Sequence, residues 1–407
     1  MLKSILPLAL LAVCAGTTMA AAADVDAKTT IGGEAFFDFT HINQQQNGND
    51  VAATGTGFDV KRFYLIANHS FDDIWSANLT TDAQYVNSTT STVTTTSGST
   101  TVVTTAGSGS VAEVFIKRLY LQAKLNDAFV LHVGAYNASW APFVEGLYGY
   151  RYIEKTATDR LGFANTADWG LNVTGKVADG LVTYSASVVN GGGFKNPSRS
   201  KDVDFDGRVG VSPVEWLTLG AGFYSGHLGQ ITQAVSAYAS NTATRFDFVA
   251  AVQVSGIRVG AEYFQAKNYK AASATTGVYS GPGGVVVATT ATGTVVSDEA
   301  TGFSSWASYE FAPQYSVFAR FDQAKPSKDI HTNLKDRYFH AGVAYKPIKQ
   351  LDLSLVYKNE KVDNGAISIS SADANGSYTI GGTGVAKTGP FTGGKFSEVG
   401  IYAHYNF

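Results

Sequence analysis

The sequence has almost no cysteine, few charges and few prolines. Charged side chains make up 15% of the 407 residues, well below the roughly 25% of an average soluble protein. Lysine and arginine (30) nearly balance aspartate and glutamate (33), so the chain lacks the basic excess of a nucleic-acid-binding protein. Beyond residue 22, no run reaches the ~18 consecutive apolar residues of a transmembrane helix. These absences argue against a cytosolic protein, a nucleic-acid-binding protein and a helical membrane protein.

The N-terminal segment has the features of an export signal. Lys3 supplies a positive charge, an apolar run follows at residues 5–13, and small residues follow at 18–23. This pattern predicts a secretory signal peptide at residues 1–22 that is cleaved, leaving a single domain at residues 23–407. The only cysteine, Cys14, lies in the signal peptide. The mature chain is therefore expected to have no disulfide and no thiol chemistry.

Glycine and aromatic residues are abundant, and apolar residues alternate with polar ones along much of the chain. The sequence has 43 glycines, 24 phenylalanines and 21 tyrosines. At the C-terminus, Ile401, Tyr405 and Phe407 fall on one face of an extended chain and His404 falls on the other. Such period-2 alternation predicts strands with one apolar face. A run such as 63–71, tilted by ~40°, covers roughly 23 Å, close to the ~25 Å apolar band of an outer-membrane barrel.

The breaks between these runs are short and long in turn. The short breaks are at residues 71–74, 126–128, 178–180, 212–216, 255–256, 312–314 and 347–350. The long breaks are at residues 43–57, 88–111, 138–167, 190–206, 226–244, 268–300, 325–336 and 362–395. Seven short and eight long breaks connect sixteen strands, and this asymmetry is typical of transmembrane barrels. We predict an all-β fold, a 16-stranded antiparallel transmembrane β-barrel with both termini on the periplasmic side.

A short motif occurs twice, at residues 60–65 and 116–121. The first copy reads VKRFYL and the second reads IKRLYL. Alternation predicts that the arginine and tyrosine of each copy point into the lumen; these residues are Arg62, Tyr64, Arg118 and Tyr120. The same alternation predicts that Lys61 and Lys117 lie on the lipid-facing side at the outer rim, where a long side chain reaches lipid phosphates.

The third long break, at residues 138–167, combines aromatic residues with charges of both signs. Trp140, Tyr148 and Tyr152 occur there together with Arg151 and Glu154. So much apolar surface is costly to leave in water. The segment is therefore expected to fold inward against the barrel wall and to narrow the passage. The alternative is that it caps the rim or packs against a neighbouring subunit.

The segment 134–194 and the C-terminus resemble the outer-membrane porins of Gram-negative bacteria, in particular the phosphate-selective porin family. The resemblance is carried by APFVE at 141–145, RYIEK at 151–155, DWGL at 168–171, VVNGG at 188–192 and the terminal YNF. It implies a homotrimer in the outer membrane, surrounded by lipids and lipopolysaccharide, without enzymatic activity or cofactor. It also implies passive diffusion of small ions and solutes, and a terminal aromatic, Phe407, that the barrel-assembly machinery recognises for insertion.

The selectivity of a pore depends on the charges at its narrowest point. The residues predicted to line the pore or its constriction are Arg62, Tyr64, Arg118, Tyr120, Lys124, Glu145, Arg151, Glu154, Lys155, Arg160 and Arg320. Arginines in a narrow passage favour anions, because low-dielectric walls focus the field and guanidinium groups bind oxyanions bidentately. We therefore predict a mild preference for anions. The alternative is that these arginines pair with Asp82, Glu145 or Glu154 and only hold the loop.

Three further functional interpretations follow from the residues. Phosphate-selective relatives are known for a lysine-rich third loop, whereas this loop has only Lys155, so phosphate is a possible solute rather than the expected one. Lumenal tyrosines and loop aromatics offer stacking surfaces for sugars, which makes a substrate-preferring sugar channel the first alternative. A non-conducting adhesin or structural barrel with Ser/Thr-rich loops is the second.

One weak candidate for a metal site remains. Asp202, Asp204 and Asp206 begin a sequence like that of a calcium-binding loop, but Pro213 occupies the position where a bidentate glutamate is required. The histidines show no ligand-like pairing in the sequence. We therefore expect no metal.

Overall fold

The computed structural model describes most of the chain after residue 26. The described residues are 27–46, 48–50, 54–87, 92–97, 100–105, 110–197, 199–229, 242–269, 279–280, 286–287, 297–329, 332–364 and 393–407. The predicted signal peptide, with its cleavage site, lies outside the described residues, as does most of the long connection at 268–298.

Sixteen long strands form one sheet. They are β1 (Lys28–Gln46), β2 (Gly55–Ser70), β3 (Trp75–Asn87), β4 (Ser110–Asn126), β5 (Phe129–Asn137), β6 (Ala167–Val177), β7 (Val182–Val189), β8 (Asp204–Val214), β9 (Leu217–Gly226), β10 (Ala243–Val254), β11 (Ile257–Lys267), β12 (Glu299–Ala312), β13 (Tyr315–Lys325), β14 (Lys335–Ile348), β15 (Leu351–Asp363) and β16 (Gly393–Asn406). Short extra strands lie in the long connections, at Asn49–Asp50, Thr92–Ser97, Thr100–Thr105, Tyr279–Ser280 and Val286–Val287.

Each long strand pairs antiparallel with its neighbours in sequence, and the first strand also pairs with the last. β1 pairs with β2 along one edge and with β16 along the other, from Glu34 opposite Asn406 to Gln46 opposite Gly394. The sheet therefore closes on itself and leaves no free edge. Tight turns such as 71–74 and 255–256 join strands at one end, and the long connections lie at the other. The predicted 16-stranded antiparallel barrel is confirmed.

Alternate side chains along each strand face outward and inward. On β2, Phe63 and Leu65 are 40% and 44% exposed on the outside, whereas Tyr64 is buried on the inside. On β16, Ile401 and Tyr405 are likewise exposed on the outside. This arrangement suits a wall with lipid on one side and polar surroundings on the other. None of the helices in the described part of the chain has the length and apolar character needed to cross a membrane.

The connection between β5 and β6 folds into the barrel and contains two helices, α1 (Ala141–Tyr148) and α2 (Ala157–Arg160). Pro142 lies in the first turn of α1, where a missing N–H group costs no helical hydrogen bond. Gly149 ends α1 in the left-handed conformation, with φ of 84°. Trp140 and Val144 are completely buried. The prediction of an inward-folded third loop is confirmed, with the loop occupying residues 138–166.

The first copy of the repeated motif contains a β-bulge. Val60 and Arg62 pair with consecutive residues of β1, which leaves Lys61 as an extra residue. Lys61 is only 7% exposed, and its Nζ lies 2.7 Å from Oδ2 of Asp38. Since Asp38 is 2% exposed on the inner face, Lys61 points into the barrel together with Arg62.

The second copy has the same irregularity. Ile116 and Arg118 pair with consecutive residues of β3, which leaves Lys117 as the extra residue. The Nζ of Lys117 donates a hydrogen bond of 2.9 Å to the hydroxyl of Tyr64 on β2. The prediction that Lys61 and Lys117 face lipid was wrong. A bulge adds one residue to one strand and so resets the alternation, which places two consecutive side chains on the same face.

Candidate functional site

The helix α1 lies against the inner face of strands β8 to β12. The indole Nε1 of Trp140 donates a hydrogen bond of 2.8 Å to Oε1 of Glu262 on β11. Trp140 and Val144 form a buried cluster with Val249 on β10 and Trp306 on β12. Burial of these apolar side chains away from water stabilises the contact between α1 and this side of the barrel wall.

Glycines on the inner wall make room for the loop. A Cβ at Gly220 would lie 2.5 Å from Cε1 of Phe143, and a Cβ at Gly222 would lie 2.5 Å from Cε3 of Trp140. Real Cβ atoms essentially never approach a neighbour this closely. The two glycines of β9 therefore leave a flat surface without side chains, on which Phe143 and Trp140 pack. This contact surface was not predicted from the sequence. Its signal is the pair of glycines two residues apart in Leu217–Gly226, which lie on the same face of the strand.

The segment after α1 is held by tyrosine hydroxyls. The hydroxyl of Tyr148 lies 3.0 Å from Nε2 of His340 on β14, and the hydroxyl of Tyr152 lies 2.6 Å from Oγ of Ser354 on β15. Tyr150 stacks on Phe318 of β13 with ring centroids 4.4 Å apart. Burial raises the pKa of Tyr148 far above its ordinary value, so this phenol remains a neutral hydrogen-bonding group.

Arg160 at the end of α2 is the strongest electrostatic anchor of the loop. Its guanidinium donates hydrogen bonds of 2.6 Å to Asp336 on β14, 2.6 Å to Glu360 on β15 and 3.2 Å to Asp322 on β13. The guanidinium also lies over the ring of Tyr338, 4.5 Å from its centroid. Burial by itself would lower the pKa of Arg160, but the three carboxylates outweigh it and raise the pKa well above its ordinary value. Arg160 therefore stays charged.

Two cations on the wall bind backbone carbonyls of the loop. Arg320 pairs with Asp322 at 2.7 Å and donates to the carbonyl of Lys155. Lys358 donates a hydrogen bond of 2.8 Å to the carbonyl of Ile153 and lies 3.4 Å from Glu154. Arg320 and Glu154, both predicted pore-lining residues, are thus buried in the contact between the loop and the wall.

Two other predicted arginines are paired with carboxylates. Arg62 forms a buried ion pair with Asp82 on β3, and Nε of Arg151 lies 2.5 Å from Oε1 of Glu145 within the loop. These two partners match the alternative in which arginines hold the structure. Lys155 is half-buried in the loop. Its ammonium group has no ion pair among the residues that the structure describes.

A gap of about 170 Å³ separates the loop from the part of the barrel wall that α1 does not cover, formed here by β1, β2 and β4. On the wall side its charged and aromatic lining includes Glu34, Tyr64, Lys117 and Arg118, and on the loop side Glu145 and Arg151. The ammonium group of Lys117 lies over the ring of Tyr64, 4.3 Å from its centroid. Within the described part of the chain, neither Lys117 nor Arg118 has a carboxylate partner at ion-pair distance. The gap therefore carries three cations, Lys117, Arg118 and Arg151, against two carboxylates, Glu34 and Glu145, and only Arg151 and Glu145 are paired with each other.

Arg118 lies next to a group of aromatic residues on the same wall. Nε of Arg118 donates a hydrogen bond of 3.2 Å to Oγ1 of Thr80. Tyr120 meets Tyr136 of β5 with ring centroids 4.8 Å apart, and Tyr136 stacks on His132 at 3.6 Å. Of the predicted lumenal residues of the two motif copies, Tyr64 and Arg118 line the gap, whereas Arg62 pairs with Asp82 and Tyr120 contacts Tyr136.

Two further spaces lie inside the barrel, one on each side of the loop. On the side of the tight turns, a space of about 640 Å³ is lined by residues that include Gln253, Arg258 and Asp352. On the side of the long connections, a cavity of about 190 Å³ is lined by Asn172, Arg245 and other residues. The gap beside the loop shares Asn137 with the cavity and Glu34 with the larger space, and it has the smallest volume of the three, which makes it the candidate constriction.

One predicted pore residue lies elsewhere. Lys124 is near the turn end of β4, where its side chain is 49% exposed and pairs with Asp127 at 2.8 Å. It belongs to the turn between β4 and β5 and does not contribute to the gap.

The three aspartates of the weak metal candidate do not converge. Asp204 accepts hydrogen bonds from the hydroxyl of Tyr224 and from the backbone N–H of His227 and Leu228. Asp206 accepts one of 2.6 Å from the backbone N–H of Ser139, and Asp202 pairs with His227 at 3.4 Å. Among the described residues, no group of histidine, aspartate and glutamate is arranged to hold a metal ion.

Comparison with known proteins finds similarity at the level of the fold. No family model and no curated protein matches the sequence. The anion-selective porin from Comamonas acidovorans is similar in structure, with a TM-score of 0.57 and 10% identity, covering 94% of this chain and 100% of that chain.

Two further solved structures are similar over almost their whole length. The outer-membrane channel DcaP of Acinetobacter baumannii has a TM-score of 0.54 and 13% identity, covering 96% of this chain and 100% of that chain. OmpT, an outer-membrane protein of Vibrio cholerae solved in a trimer form, has a TM-score of 0.53 and 12% identity, covering 94% and 99%. The chain therefore has the fold of outer-membrane porins.

Proposed function

We propose that this protein is an outer-membrane porin, a water-filled channel for passive diffusion of small hydrophilic solutes and ions, with a mild preference for anions. The observation that carries the proposal is the excess of cations beside the gap of about 170 Å³, where Lys117 and Arg118 have no ion pair among the described residues and Glu34 is the one carboxylate of the lining outside the Arg151–Glu145 pair. A channel of this kind needs no catalytic group and no cofactor. By resemblance to porins, we further propose a homotrimer.

The distribution of charge within the barrel supports an anion preference. The carboxylates of Asp322, Asp336 and Glu360 are buried beneath the loop and bound to Arg160, so they do not face the gap. Lys117 and Arg118 lie on the uncovered wall, where their field acts on a passing ion. In a narrow passage with low-dielectric walls, such local placement outweighs the formal net charge of −3 of the whole chain.

Reversal potentials in planar bilayers test this proposal. With a potassium chloride gradient across the membrane, we expect the wild-type channel to favour chloride. Replacing both cations with Lys117→Gln and Arg118→Gln should lower the chloride-to-potassium permeability ratio about 30-fold, since each of the two cations contributes on the order of 1 kcal/mol to the free energy of an ion about 4 Å away in water.

The control is Lys124→Gln, which removes an equally charged side chain from the turn end of the same strand. It should leave the reversal potential unchanged. A wild-type channel that favours potassium, or a double variant with unaltered selectivity, would contradict the proposal. The same reversal potentials should also be measured with inorganic phosphate in place of chloride, because lysine and arginine side chains such as those in the gap bind phosphate oxygens.

A channel that prefers sugars is the second candidate, and the aromatic group on β4 and β5 favours it. Tyr120 and Tyr136 are half-buried and in edge contact, and Tyr136 lines the cavity of about 190 Å³, where a ring of this kind can stack on a sugar face. Block of the current by maltose oligosaccharides, with indifference to the type of ion, would support this candidate. A reconstituted barrel without conductance would instead support a structural or adhesive role.

A further inference from the structure

We propose that the outer rim of strands β14 to β16 binds the phosphate groups of lipids in the surrounding leaflet. Arg337 on β14 lies directly opposite Lys361 on β15, and Lys361 lies directly opposite Lys395 on β16. All three side chains are exposed and alternate with buried neighbours, so they point away from the lumen. We call these three residues the basic row.

The basic row is an unfavourable arrangement for the barrel alone. Neighbouring strands are ~4.8 Å apart, so three cations lie within about 10 Å of one another, and like charges directly opposite on a sheet repel. Asp363 supplies one carboxylate, which pairs with Arg337 and lies 3.1 Å from Nζ of Lys361. Within the described residues, Lys395 has no ion pair. A net positive charge therefore remains, and an anion from outside the chain would relieve it.

The height of the basic row on the barrel matches that of lipid headgroups. On the same outward face, the side chains closer to the turn end are the exposed residues Phe339, Tyr357 and Val399. Along their strands they are two to four residues away from the basic row, or roughly 5–10 Å along the axis of a barrel with strands tilted by ~40°. The cations thus lie just beyond the apolar band, at the end of the barrel that carries the long connections.

The occupant that fits this position is a phosphorylated lipid. Its phosphates are held at this depth by the acyl chains, whereas a free anion must leave water to reach the edge of an apolar surface. Arginine and lysine together bind phosphate oxygens by charge-assisted hydrogen bonds. The inference rests on the outer-membrane location proposed above and not on ion selectivity, because the basic row lies outside the lumen.

Native mass spectrometry of the detergent-solubilised full chain tests this inference. The probe is bisphosphorylated lipid A, titrated against the wild type and against the triple variant Arg337→Gln, Lys361→Gln, Lys395→Gln. Each cation near a lipid surface contributes about fivefold in affinity. We therefore expect the triple variant to bind lipid A about 100-fold more weakly. Lipid A without phosphate groups should bind the wild type as weakly as lipid A binds the variant.

The matched control is Lys267→Gln. Lys267 is an exposed side chain at the same rim, on β11, and lies opposite Thr244 and Glu299 rather than opposite another cation. This variant should bind lipid A within about twofold of the wild type, because it leaves the basic row intact.

Three results would overturn the inference: unchanged affinity of the triple variant, complete displacement of lipid A by millimolar inorganic phosphate, and an altered oligomeric mass with unaltered lipid binding. The last would make the basic row a subunit contact. The triple variant should keep the conductance and reversal potential of the wild type. Failure here is therefore distinguishable from failure of the channel proposal, which concerns Lys117 and Arg118.

Discussion

At the scale of single residues, ion pairing decides which charges inside the barrel are neutralised by a neighbouring side chain. Arg62 pairs with Asp82, as the alternative interpretation of the sequence expects, and Arg160, predicted to line the pore, is bound to buried carboxylates. Lys117, which alternation assigns to the lipid side, faces the gap beside the loop. The residue type alone therefore says little about selectivity, because a buried ion pair exerts only a weak field on the passage.

Removing the charge of Arg160 is expected to destabilise the loop. In Arg160→Met, the carboxylates of Asp322, Asp336 and Glu360 would lie together in a buried site without this cation. Removing one partner of a buried pair costs about 3–5 kcal/mol. Urea unfolding of the protein in phospholipid vesicles should show this loss, and single-channel records should show larger and noisier openings as the loop leaves the wall.

The double variant Arg160→Met with Glu360→Gln is expected to recover part of that stability, because it removes one of the repelling carboxylates. The control is Arg199→Met, an exposed arginine in the connection between β7 and β8, which should unfold like the wild type. If Arg160→Met unfolded like the control, the anchoring role of Arg160 would be refuted.

At the scale of secondary-structure elements, the β-bulges on β2 and β4 determine what the repeated motif does. Without a bulge, Lys61 and Lys117 would face lipid. With one, each pair of consecutive basic residues points inward, and Lys61 reaches Asp38 while Lys117 reaches Tyr64. A local change in strand pairing thus doubles the number of cations that the motif contributes to the lumen.

Cysteine substitution tests the orientation of the bulge on β4. The predicted mature chain has no cysteine, since Cys14 lies in the expected signal peptide. In Lys117→Cys, a water-soluble methanethiosulfonate reagent should react from the lumen and reduce the current.

Ile116→Cys is the matched control, because Ile116 is 42% exposed on the outer face, where lipid would exclude the reagent. Equal labelling of both cysteines, or labelling of Ile116→Cys alone, would contradict the inward orientation of Lys117.

At the scale of the whole molecule, closure of the barrel depends on the meeting of its two ends. The backbone N–H of Gly33 donates to the carbonyl of Phe407 at 3.0 Å, and the N–H of Phe407 donates to the carbonyl of Gly33 at 3.1 Å. The ring of Phe407 stacks on Phe63 with centroids 6.4 Å apart. The terminal residue thus lies at the seam between β16 and β1, and its ring is 52% exposed on the outside of the barrel.

Replacing the aromatic ring of Phe407 distinguishes a role in recognition by assembly factors from a role in the stability of the folded barrel. Phe407→Leu keeps the backbone hydrogen bonds to Gly33 but removes the exposed aromatic side chain. If assembly factors recognise that ring, the folded fraction in cells should fall several-fold, whereas refolding into detergent should stay within about twofold of the wild type, since an exposed side chain contributes little to stability. Heat-modifiable mobility on gels measures both fractions.

Phe63→Leu is the control for the seam, because it removes the ring that stacks on Phe407 and leaves the terminus intact. We expect normal assembly of this variant in cells. Equal losses in cells and in detergent for Phe407→Leu would assign the ring a structural role instead.

The sequence by itself determined the barrel, its sixteen strands and the faces of most residues. Alternation and turn spacing are local properties, and a wall between lipid and water imposes them on every strand. The inward loop was predictable too, since residues 138–167 carry too much aromatic surface for a solvated connection.

Only the tertiary structure decided which charges neutralise one another. Arg160 meets Glu360 across 200 positions of the chain, and the orientation of Lys117 depends on how β4 is paired with β3. Contacts of this kind follow from strand register and loop docking, which join distant segments and have no local sequence signal. The charge at the gap beside the loop therefore depends on features that no single stretch of the sequence contains.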